Sequence, residues 1–434
     1  MKILFSKSSF AGPISGADEI AITYAVELKA AGHSTGVLLV HPPSGGDPFA
    51  ARLRAAEVPF AALASPAFST SLAAGRKLAI RAMRTFSPAR QLIRSRSRRL
   101  VFDLLQRYHD ICCEYLRRNR PDVLHVMTPD PGAVMLIRAA HATGVPVVYQ
   151  EVGIPFHPPG FEEVYERFVT VLPLCARVAV LSPLLAQEIG RVLPQLAPAS
   201  VLPLMSRHTN NGFHPAADTA DKTVRFGFAA RLEHLKGSLN LIEGFRIAHA
   251  THPEIALKIA GSGSQRQQII ARIRELGLEK KCHLAGVYKT LKERSQFMSG
   301  IDVFVLPSLT EGTPNAIVEA MAHAKPIVAT AVGGIPDVIS AAEGILVPPG
   351  DDQELGAAMG RLAGDAALRE RLGRAARAKY ERMFAPDVVL PMLLDFYQRV
   401  IEVHRAGNLD RCRVAAEIRH PWLSEPLELT PSNS

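Results

Sequence analysis

Two successive series of short apolar strands, each alternating with helical segments, constrain the fold of this chain more than any other feature. The first series has predicted strands at 2–6, 35–40, 123–127, 145–150, 177–181 and 200–204. The second series has predicted strands at 224–229, 255–260, 282–285, 301–306, 327–330 and 345–347. Strands that alternate with helices form parallel sheets with helices on both faces. Because 434 residues exceed what one hydrophobic core serves, we expect two Rossmann-like, doubly wound α/β domains that face each other across a cleft.

A polar stretch rich in Asn and Pro separates the two series and predicts the domain boundaries. We expect a first domain at 1–205, a linker at 206–222 and a second domain at 223–385. The last long helix is predicted at 386–405, where it would return toward the first domain. Residues 406–434 are predicted to form an irregular and partly disordered tail.

The cysteines and the apolar segments indicate the compartment. The five cysteines show no Cys-x-x-Cys spacing, which predicts a reduced, cytoplasmic protein without structural zinc. The apolar run at the start is too short for a signal peptide, and no other segment reads as a membrane span. A hydrophobic content of 47% with 21% charged residues is that of an ordinary globular protein.

The net charge of +9 is concentrated between Val58 and Phe102, a segment with nine basic residues and no Asp or Glu. Lys77, Arg81 and Arg84 share one helical face, and apolar residues accompany them. This pattern suits a helix that lies on the anionic inner face of a membrane. A solvated basic loop explains the composition equally well. Nucleic acid is not an expected partner, because neither interleaved aromatic residues nor a known binding motif accompanies the charge.

A predicted helix start with two carboxylates beside it follows the strand at 301–306. Thr313 is a good N-cap and Pro314 a good first helical residue. Glu311 then lies just outside the helix, and Glu319 lies inside it. Unpaired N–H groups at a helix start attract anions, so a ligand lying across this point would meet both acids. Judged by spacing alone, two solvated surface carboxylates are the more frequent outcome.

Loops after other strands of the second domain carry cations or glycines. Arg231 and Lys236 follow the first of these strands and are spaced to clamp a diphosphate. Gly263 belongs to a Gly-Ser-Gly-Ser loop that resembles an anion nest, and the glycines at 333–334 suit close backbone approach. Taken singly, each is explained by a tight turn or by surface charge. Because parallel strands end at one edge of their sheet, these loops and the two carboxylates together indicate a site for a phosphorylated ligand.

The motifs resemble those of the retaining nucleotide-sugar glycosyltransferases of family 4, the glycosyl transferases group 1, which have the GT-B fold. Residues 231–237 look like the family's Arg-x4-Lys-Gly segment, and residues 311–319 like its Glu-x7-Glu signature. Further matching segments lie, in the family's order, at 260–263, 307–308, 319–322 and 332–336. In the first domain the resemblance is looser and rests on residues 15–19.

The resemblance implies a role for each site residue. Arg231 and Lys236 would bind the donor diphosphate and stabilise its charge as the leaving group departs, and Glu311 would orient the donor sugar. Glu319 would bind the ribose hydroxyls, and Gly16 would bring the first domain's backbone against the phosphates. The other donor-binding positions would be Gly263, Gly312, Thr313, Pro314 and Asn315.

The resemblance also implies catalysis without a bound metal or a tightly bound cofactor, with UDP- or GDP-hexose as the co-substrate. No Asp-x-Asp metal motif is present in the sequence. On the acceptor side the family often has a His after the fourth strand, where this chain has Glu151. His125, on the preceding strand, is a second acceptor-side candidate, although a buried structural His is the more frequent outcome.

Two positions depart from the family's pattern. Ala324 stands where the family usually has Gly, and Asp337 replaces the commoner Glu. Both changes are expected to be compatible with the fold.

The sequence thus indicates a cytoplasmic retaining glycosyltransferase, peripheral on the membrane if the basic segment binds there. It would transfer a hexosyl group to a glycan, a lipid-linked glycan or a small acceptor, as in the synthesis of cell-surface polysaccharide or glycolipid. One alternative is a catalytically silent GT-B adaptor that binds membrane or protein. Another keeps the fold and makes the enzyme a sugar phosphorylase or epimerase.

Overall fold

The computed structural model describes residues 1–7, 10, 16–63, 106–127, 129–153, 168–207 and 223–406. These residues contain one parallel sheet of seven strands and another of six, which confirms the expected α/β class. The basic segment at 58–102 lies outside the described residues from residue 64 onward. Most of the expected linker and nearly all of the expected tail also lie outside them.

The first sheet contains β1 (Lys2–Lys7), β2 (Ser34–Leu39), β3 (Phe60–Ala62), β4 (Val123–Val126), β5 (Val147–Glu151), β6 (Arg177–Val180) and β7 (Ser200–Val201). Its strand order is β3-β2-β1-β4-β5-β6-β7, and every pair is parallel. The order reverses between β1 and β4, where the carboxyl ends of the strands open a crevice. β3 was not predicted, because three residues with two alanines give little strand signal.

The second sheet contains β8 (Val224–Ala229), β9 (Ile255–Ala260), β10 (Cys282–Gly286), β11 (Val303–Leu306), β12 (Ile327–Thr330) and β13 (Gly344–Val347). Its strand order is β10-β9-β8-β11-β12-β13, again parallel throughout. All six predicted strands are present. Since β8 and β11 are neighbours at the reversal of strand order, the loops after them meet at one point of the sheet edge.

Helices connect the strands and cover the sheets. In the first half they are α1 (Gly16–Ala30), α2 (Pro48–Ala55), α3 (106–119), α4 (Pro131–Ala142) and α5 (Pro183–Val192). In the second half they are α6 (Ser238–Thr251), α7 (Arg266–Glu275), α8 (Leu291–Ser299), α9 (Asn315–Ala322), α10 (Ile335–Val338), α11 (Asp352–Gly364), α12 (Ala366–Met383) and α13 (Pro386–Arg405). Strands such as β11 and β12 are buried along their whole length because helices cover both faces, so their sequences are continuously apolar. In the part of the chain that the structure describes, no helix is long and apolar enough to cross a membrane.

The last helix, α13, lies on the first sheet although it follows the second sheet in sequence. Its Tyr397 Oη is 2.5 Å from Nδ1 of His125 in β4. At its end, Arg405 donates a hydrogen bond of 2.9 Å to Asp122, the residue before β4. α13 therefore ties the end of the second half to the first sheet.

The start of α9 differs from the sequence prediction by one residue. The assignments of Thr313 as N-cap and Pro314 as first helical residue are wrong, because Pro314 is itself the N-cap and Asn315 begins the helix. Pro314 has an extended ψ of 121°, which keeps it outside the helix. Among the described residues, the buried Thr313 hydroxyl has no hydrogen-bond partner. The first amides of α9 are consequently left without a side-chain cap.

Candidate functional site

Lys236 and Glu311 meet at the carboxyl edge of the second sheet. Lys236 Nζ donates a hydrogen bond of 2.6 Å to Glu311 Oε1, and Ser308 Oγ donates to the same oxygen at 2.8 Å. The Lys236 side chain is 18% exposed and that of Glu311 is 8% exposed. Within the described ranges Glu311 Oε2 has no partner, so it can accept a hydrogen bond from a ligand.

Gly237 brings Lys236 close to the loop that carries Glu311. It adopts a φ of +64°, and a Cβ at this position would lie 1.8 Å from the carbonyl oxygen of Pro307. Only glycine fits such a conformation at such a distance. The Leu309 N–H also donates to the Leu235 carbonyl at 2.9 Å, so the two loops are joined on both sides of the ion pair.

Arg231 follows β8 at the same edge and is exposed. In the part of the chain that the structure describes, it forms no ion pair. Its neighbour Glu233 accepts hydrogen bonds from Ser264 N at 2.9 Å and from Ser264 Oγ at 2.6 Å. These bonds hold the pKa of Glu233 below its ordinary value. A carboxylate of the chain itself thus occupies the Ser264 end of the Gly263 loop, and anion binding by the rest of this loop stays a prediction.

The first half of the chain contacts the start of α9 directly. Asn315 Nδ2 donates a hydrogen bond of 2.8 Å to the Gly16 carbonyl at the start of α1. A Cβ at Gly312 would lie 2.6 Å from the Val152 carbonyl oxygen, just after β5. The carboxyl edges of the two sheets are therefore in contact around the loop between β11 and α9, with little space for a side chain.

Two buried hydroxyls from opposite halves point to one place beside Gly334. Thr313 Oγ1 and Ser182 Oγ lie 2.7 and 2.8 Å from the position that a Cβ on Gly334 would occupy. Among the described residues neither hydroxyl has a hydrogen-bond partner. Nearby, the Leu184 N–H donates to Asp337 Oδ2 at 2.8 Å across the cleft. Because buried polar atoms are normally paired, this place suits a hydroxyl group of a ligand or a water molecule.

Glu319 is buried in α9 and is already paired. Its Oε1 accepts a hydrogen bond of 2.6 Å from Arg294 Nη1, and its Oε2 lies 3.4 Å from Tyr288 Oη. Burial raises the pKa of Glu319, and Arg294 opposes that effect. Arg294 is not among the residues predicted from the sequence. The available signal was its position in α8, at helical spacing from the buried Phe297 and Met298, where an apolar side chain is expected.

The two acceptor-side candidates lie in different surroundings. His125 is fully buried in β4 beside Tyr397, and burial lowers its pKa to about 3. The structure therefore places His125 in the core and not at the cleft. Glu151, at the end of β5, accepts hydrogen bonds from Tyr149 Oη at 2.5 Å and from Gly153 N at 2.9 Å. Burial raises the pKa of Glu151.

The chemistry available at this edge is that of an anion site beside a carboxylate. A bound anion would face the ammonium of Lys236, the guanidinium of Arg231 and the uncapped amides of α9. A polar ring held beside it would face Glu311. The described residues include no group of three or more His, Cys, Asp or Glu that could hold a metal ion.

The second half of the chain is similar to a known protein family. The model of the glycosyl transferases group 1 matches residues 213–379. This part of the chain is therefore similar to the glycosyl transferases group 1. The matched group 1 segment contains β8 to β13 and both members of the Lys236–Glu311 pair.

Individual relatives match over part of their length. The amylovoran biosynthesis glycosyltransferase AmsK of Erwinia amylovora is 33% identical over 190 residues, which are 42% of this chain and 46% of AmsK. An α-maltose-1-phosphate synthase of Mycobacterium tuberculosis is 27% identical over 53% of this chain and 64% of its own length. The chain thus spans less than two thirds of these curated relatives. A structure of HepE from Anabaena, in complex with UDP and glucose, covers 92% of this chain and 99% of its own, with a TM-score of 0.67 at 19% identity. That likeness confirms the GT-B fold.

Proposed function

We propose that this chain is a retaining glycosyltransferase that transfers a hexosyl group from a nucleotide diphosphate sugar to a glycan, a lipid-linked glycan or a small acceptor. The observation that carries the proposal is the Lys236–Glu311 pair, 2.6 Å apart at the carboxyl edge of the second sheet and inside the group 1 segment. The second domain, expected at 223–385, would bind the donor, and the first, expected at 1–205, would bind the acceptor.

Lys236 and Arg231 are the residues that we assign to the donor diphosphate. When the bond between the sugar and the diphosphate breaks, negative charge grows on the leaving phosphate oxygens. Cations already in place stabilise that charge more in the transition state than in the ground state, which is the condition for acceleration. The uncapped amides at the start of α9 would add donors for the same anion.

Glu311 is the carboxylate that we assign to the donor sugar. Lys236 and Ser308 hold its Oε1, and this leaves Oε2 to accept a hydrogen bond from a sugar hydroxyl. A fixed negative charge beside the ring also favours the oxocarbenium-like character that develops as the leaving group departs. Retention of anomeric configuration follows from the family resemblance. It is tested by proton NMR of the first product formed, in which an inverted anomer would contradict it.

The remaining assignments follow from position. Glu319 would accept hydrogen bonds from the ribose, and Gly16 would lie against the phosphates because its carbonyl already contacts Asn315. On the acceptor side we retain Glu151, since the backbone that follows it packs on Gly312 beside the donor loop. AmsK is named for amylovoran biosynthesis and HepE was solved with UDP, which supports a UDP-hexose donor and a role in polysaccharide synthesis.

Donor binding is tested by calorimetry and thermal shift with UDP, GDP, ADP and their hexose derivatives, in buffer without metal. We expect one nucleotide family to bind and the binding to be lost in Lys236→Ala. The matched control is Lys280→Ala, which removes an exposed lysine of the same half, before β10. If no nucleotide binds the unmodified protein, the result would contradict the proposed enzyme and favour the catalytically silent adaptor.

Contact with an anionic membrane surface is part of the proposal and has its own test. Its basis is the run of basic residues at 58–102. Vesicles that contain anionic lipid should sediment the protein, and replacing Arg94, Arg96, Arg98 and Arg99 by Gln should release it. Equal sedimentation of the two proteins would contradict a membrane role for this segment.

A further inference from the structure

Four charged side chains form a continuous line across the cleft, which we call the cleft ion chain. It runs from Arg52 in α2 through Glu19 in α1 to Arg294 in α8 and Glu319 in α9. Arg52 Nη1 lies 2.5 Å from Glu19 Oε2, and Arg294 Nη1 lies 3.3 Å from Glu19 Oε1. The same Arg294 nitrogen lies 2.6 Å from Glu319 Oε1. One guanidinium nitrogen therefore contacts a carboxylate from each half of the chain.

The inner members of the cleft ion chain are withdrawn from water. Side-chain exposure is 7% for Arg294, 6% for Glu319 and 16% for Glu19. Burial alone would raise the pKa of Glu19, but Arg294 and Arg52 together hold that pKa below its ordinary value. A buried charge destabilises the fold unless an opposite charge pairs with it, so each inner member of the cleft ion chain is stabilised by its neighbours.

Arg294 controls the direction of the Glu319 carboxylate. It donates to Oε1 at 2.6 Å, and the only other described contact of the carboxylate is Tyr288 Oη, 3.4 Å from Oε2. Arg294 is in turn held by Glu19, which belongs to the other half of the chain. Removing Glu19 would leave Arg294 attached to Glu319 alone and free to reorient with it. A carboxylate that must meet two ribose hydroxyls needs a fixed plane.

We propose that Arg294 is a positioning residue for the donor nucleotide, and that Glu19 from the first half completes the ribose site by fixing Arg294 against Glu319. The inference rests on the proposed function, through the ribose role given to Glu319. It adds that the first half contributes to nucleotide affinity without touching the nucleotide. The family resemblance includes Glu19 in the matching segment 15–19 but implies no role for it. The proposal gives Glu19 the role of fixing Arg294.

The first test compares Glu19→Gln with the unmodified protein by calorimetry. The probes are UDP, GDP and ADP, each beside its 2′,3′-dideoxy counterpart. We expect the dissociation constant of the nucleotide that binds to rise by about fivefold or more, a typical coupling between sites. The dideoxy counterpart should show no such rise, because it lacks the hydroxyls through which Glu319 acts. The control is Glu114→Gln, which removes an exposed ion pair with Arg118 in the first half and should change neither value.

A second measurement needs no nucleotide. Urea unfolding of Glu19→Gln, Arg294→Gln and the double variant forms a double-mutant cycle, in which glutamine keeps hydrogen-bonding capacity and lets the variants fold. We expect a coupling of about twofold or more in the unfolding equilibrium constant. Absence of coupling overturns the inference, and so does an equal loss of affinity for the ribose and dideoxy nucleotides. If the cycle shows coupling but the unmodified protein binds no nucleotide, the result contradicts the proposed function. The ribose role of Glu319 is then contradicted as well.

Discussion

Lys236 and Glu311 share a hydrogen bond of 2.6 Å although they lie 75 residues apart in sequence. The loops after β8 and β11 bring them together, and neither side chain is fully accessible to water. Each side chain therefore holds the other in place. Under the proposed function, a bound diphosphate would meet an ammonium whose position is already set, and this would lower the cost of reorganisation during reaction.

Replacing Glu311 by Gln tests the carboxylate separately from the fold. The amide keeps the shape and can still accept a hydrogen bond from Ser308, but the negative charge beside the sugar is lost. We expect kcat to fall by about 10²–10³-fold, the range seen when one preorganised electrostatic contact is removed, while the donor dissociation constant changes much less. Initial rates and calorimetry measure the two effects, with the exposed Glu279→Gln as control. A kcat equal to that of the unmodified protein would contradict the assignment.

Gly237→Ala tests the close approach that positions Lys236. Both Gly237 and Gly277 have positive φ, +64° and +68°, but a Cβ would meet Pro307 only at Gly237 and nothing within 4 Å at Gly277. Gly277→Ala should cost about 0.5–1 kcal/mol of unfolding free energy, because a backbone strain of about 1–2 kcal/mol is partly offset by about 0.4–1 kcal/mol from the smaller freedom of the unfolded chain. Gly237→Ala should cost about 1–3 kcal/mol more, because the Pro307 loop has to move. Urea unfolding measures both, and equal losses would show that the contact with Pro307 carries no strain.

Placement of the site in the fold follows from local sequence. Apolar runs such as β8 and β11 identify buried parallel strands, and parallel strands end at one edge, so Lys236 and Glu311 could be assigned to one place from the sequence. β3 could not, because Phe60–Ala62 becomes a strand only by pairing with β2. Its stability comes from the sheet and not from its own residues.

Local sequence does not predict which distant charged residues will pair. The residues near Arg294 carry no signal that predicts its contact with Glu319, 25 residues later, or with Glu19 in the other half. The helix start shows a different failure, a competition between two local rules. Thr313 satisfies the preference for an N-cap, but the extended backbone of Pro314 moves the start one residue on. The side-chain pairs and the exact start of the helix are therefore the parts of the site that could not be predicted from the sequence.

Ala324→Gly should stabilise the protein. Ala324 has a φ of +52°, in the left-handed region, at the turn where the Lys325 N–H donates to the Ala320 carbonyl after α9. Glycine removes a backbone strain of about 1–2 kcal/mol. Because glycine also gives the unfolded chain more conformational freedom, about 0.4–1 kcal/mol of this gain is lost. We expect a net gain of about 0.5–1 kcal/mol, visible as a higher Tm in calorimetry.

The control for Ala324→Gly is Ala271→Gly, at an exposed position inside α7. Glycine inside a helix costs about 1 kcal/mol, so the same chemical change should lower the Tm there. A lower Tm for both variants would mean that the backbone at Ala324 is not strained.

Burial of His125 makes stability depend on pH. Burial lowers its pKa to about 3 from an ordinary 6.5, so the folded chain leaves this ring neutral where the unfolded chain protonates it. Between those values the unfolded state binds one more proton, and stability therefore falls as pH decreases from 6.5 toward 3. Above 6.5 the ring is neutral in both states and contributes no slope. One such group gives at most about 1.4 kcal/mol per pH unit.

His125→Asn removes the titration and keeps a polar group for Tyr397 Oη. We expect the variant to be less stable than the unmodified protein near neutral pH, because a ring is lost from the core. We also expect its stability to fall less steeply as the pH decreases. Urea unfolding between about pH 7 and pH 5 measures the slope, which should fall by about 1 kcal/mol per unit at most. The exposed His283→Asn should leave the slope unchanged. Parallel pH curves for His125→Asn and the unmodified protein would show that another group is responsible for the acid sensitivity.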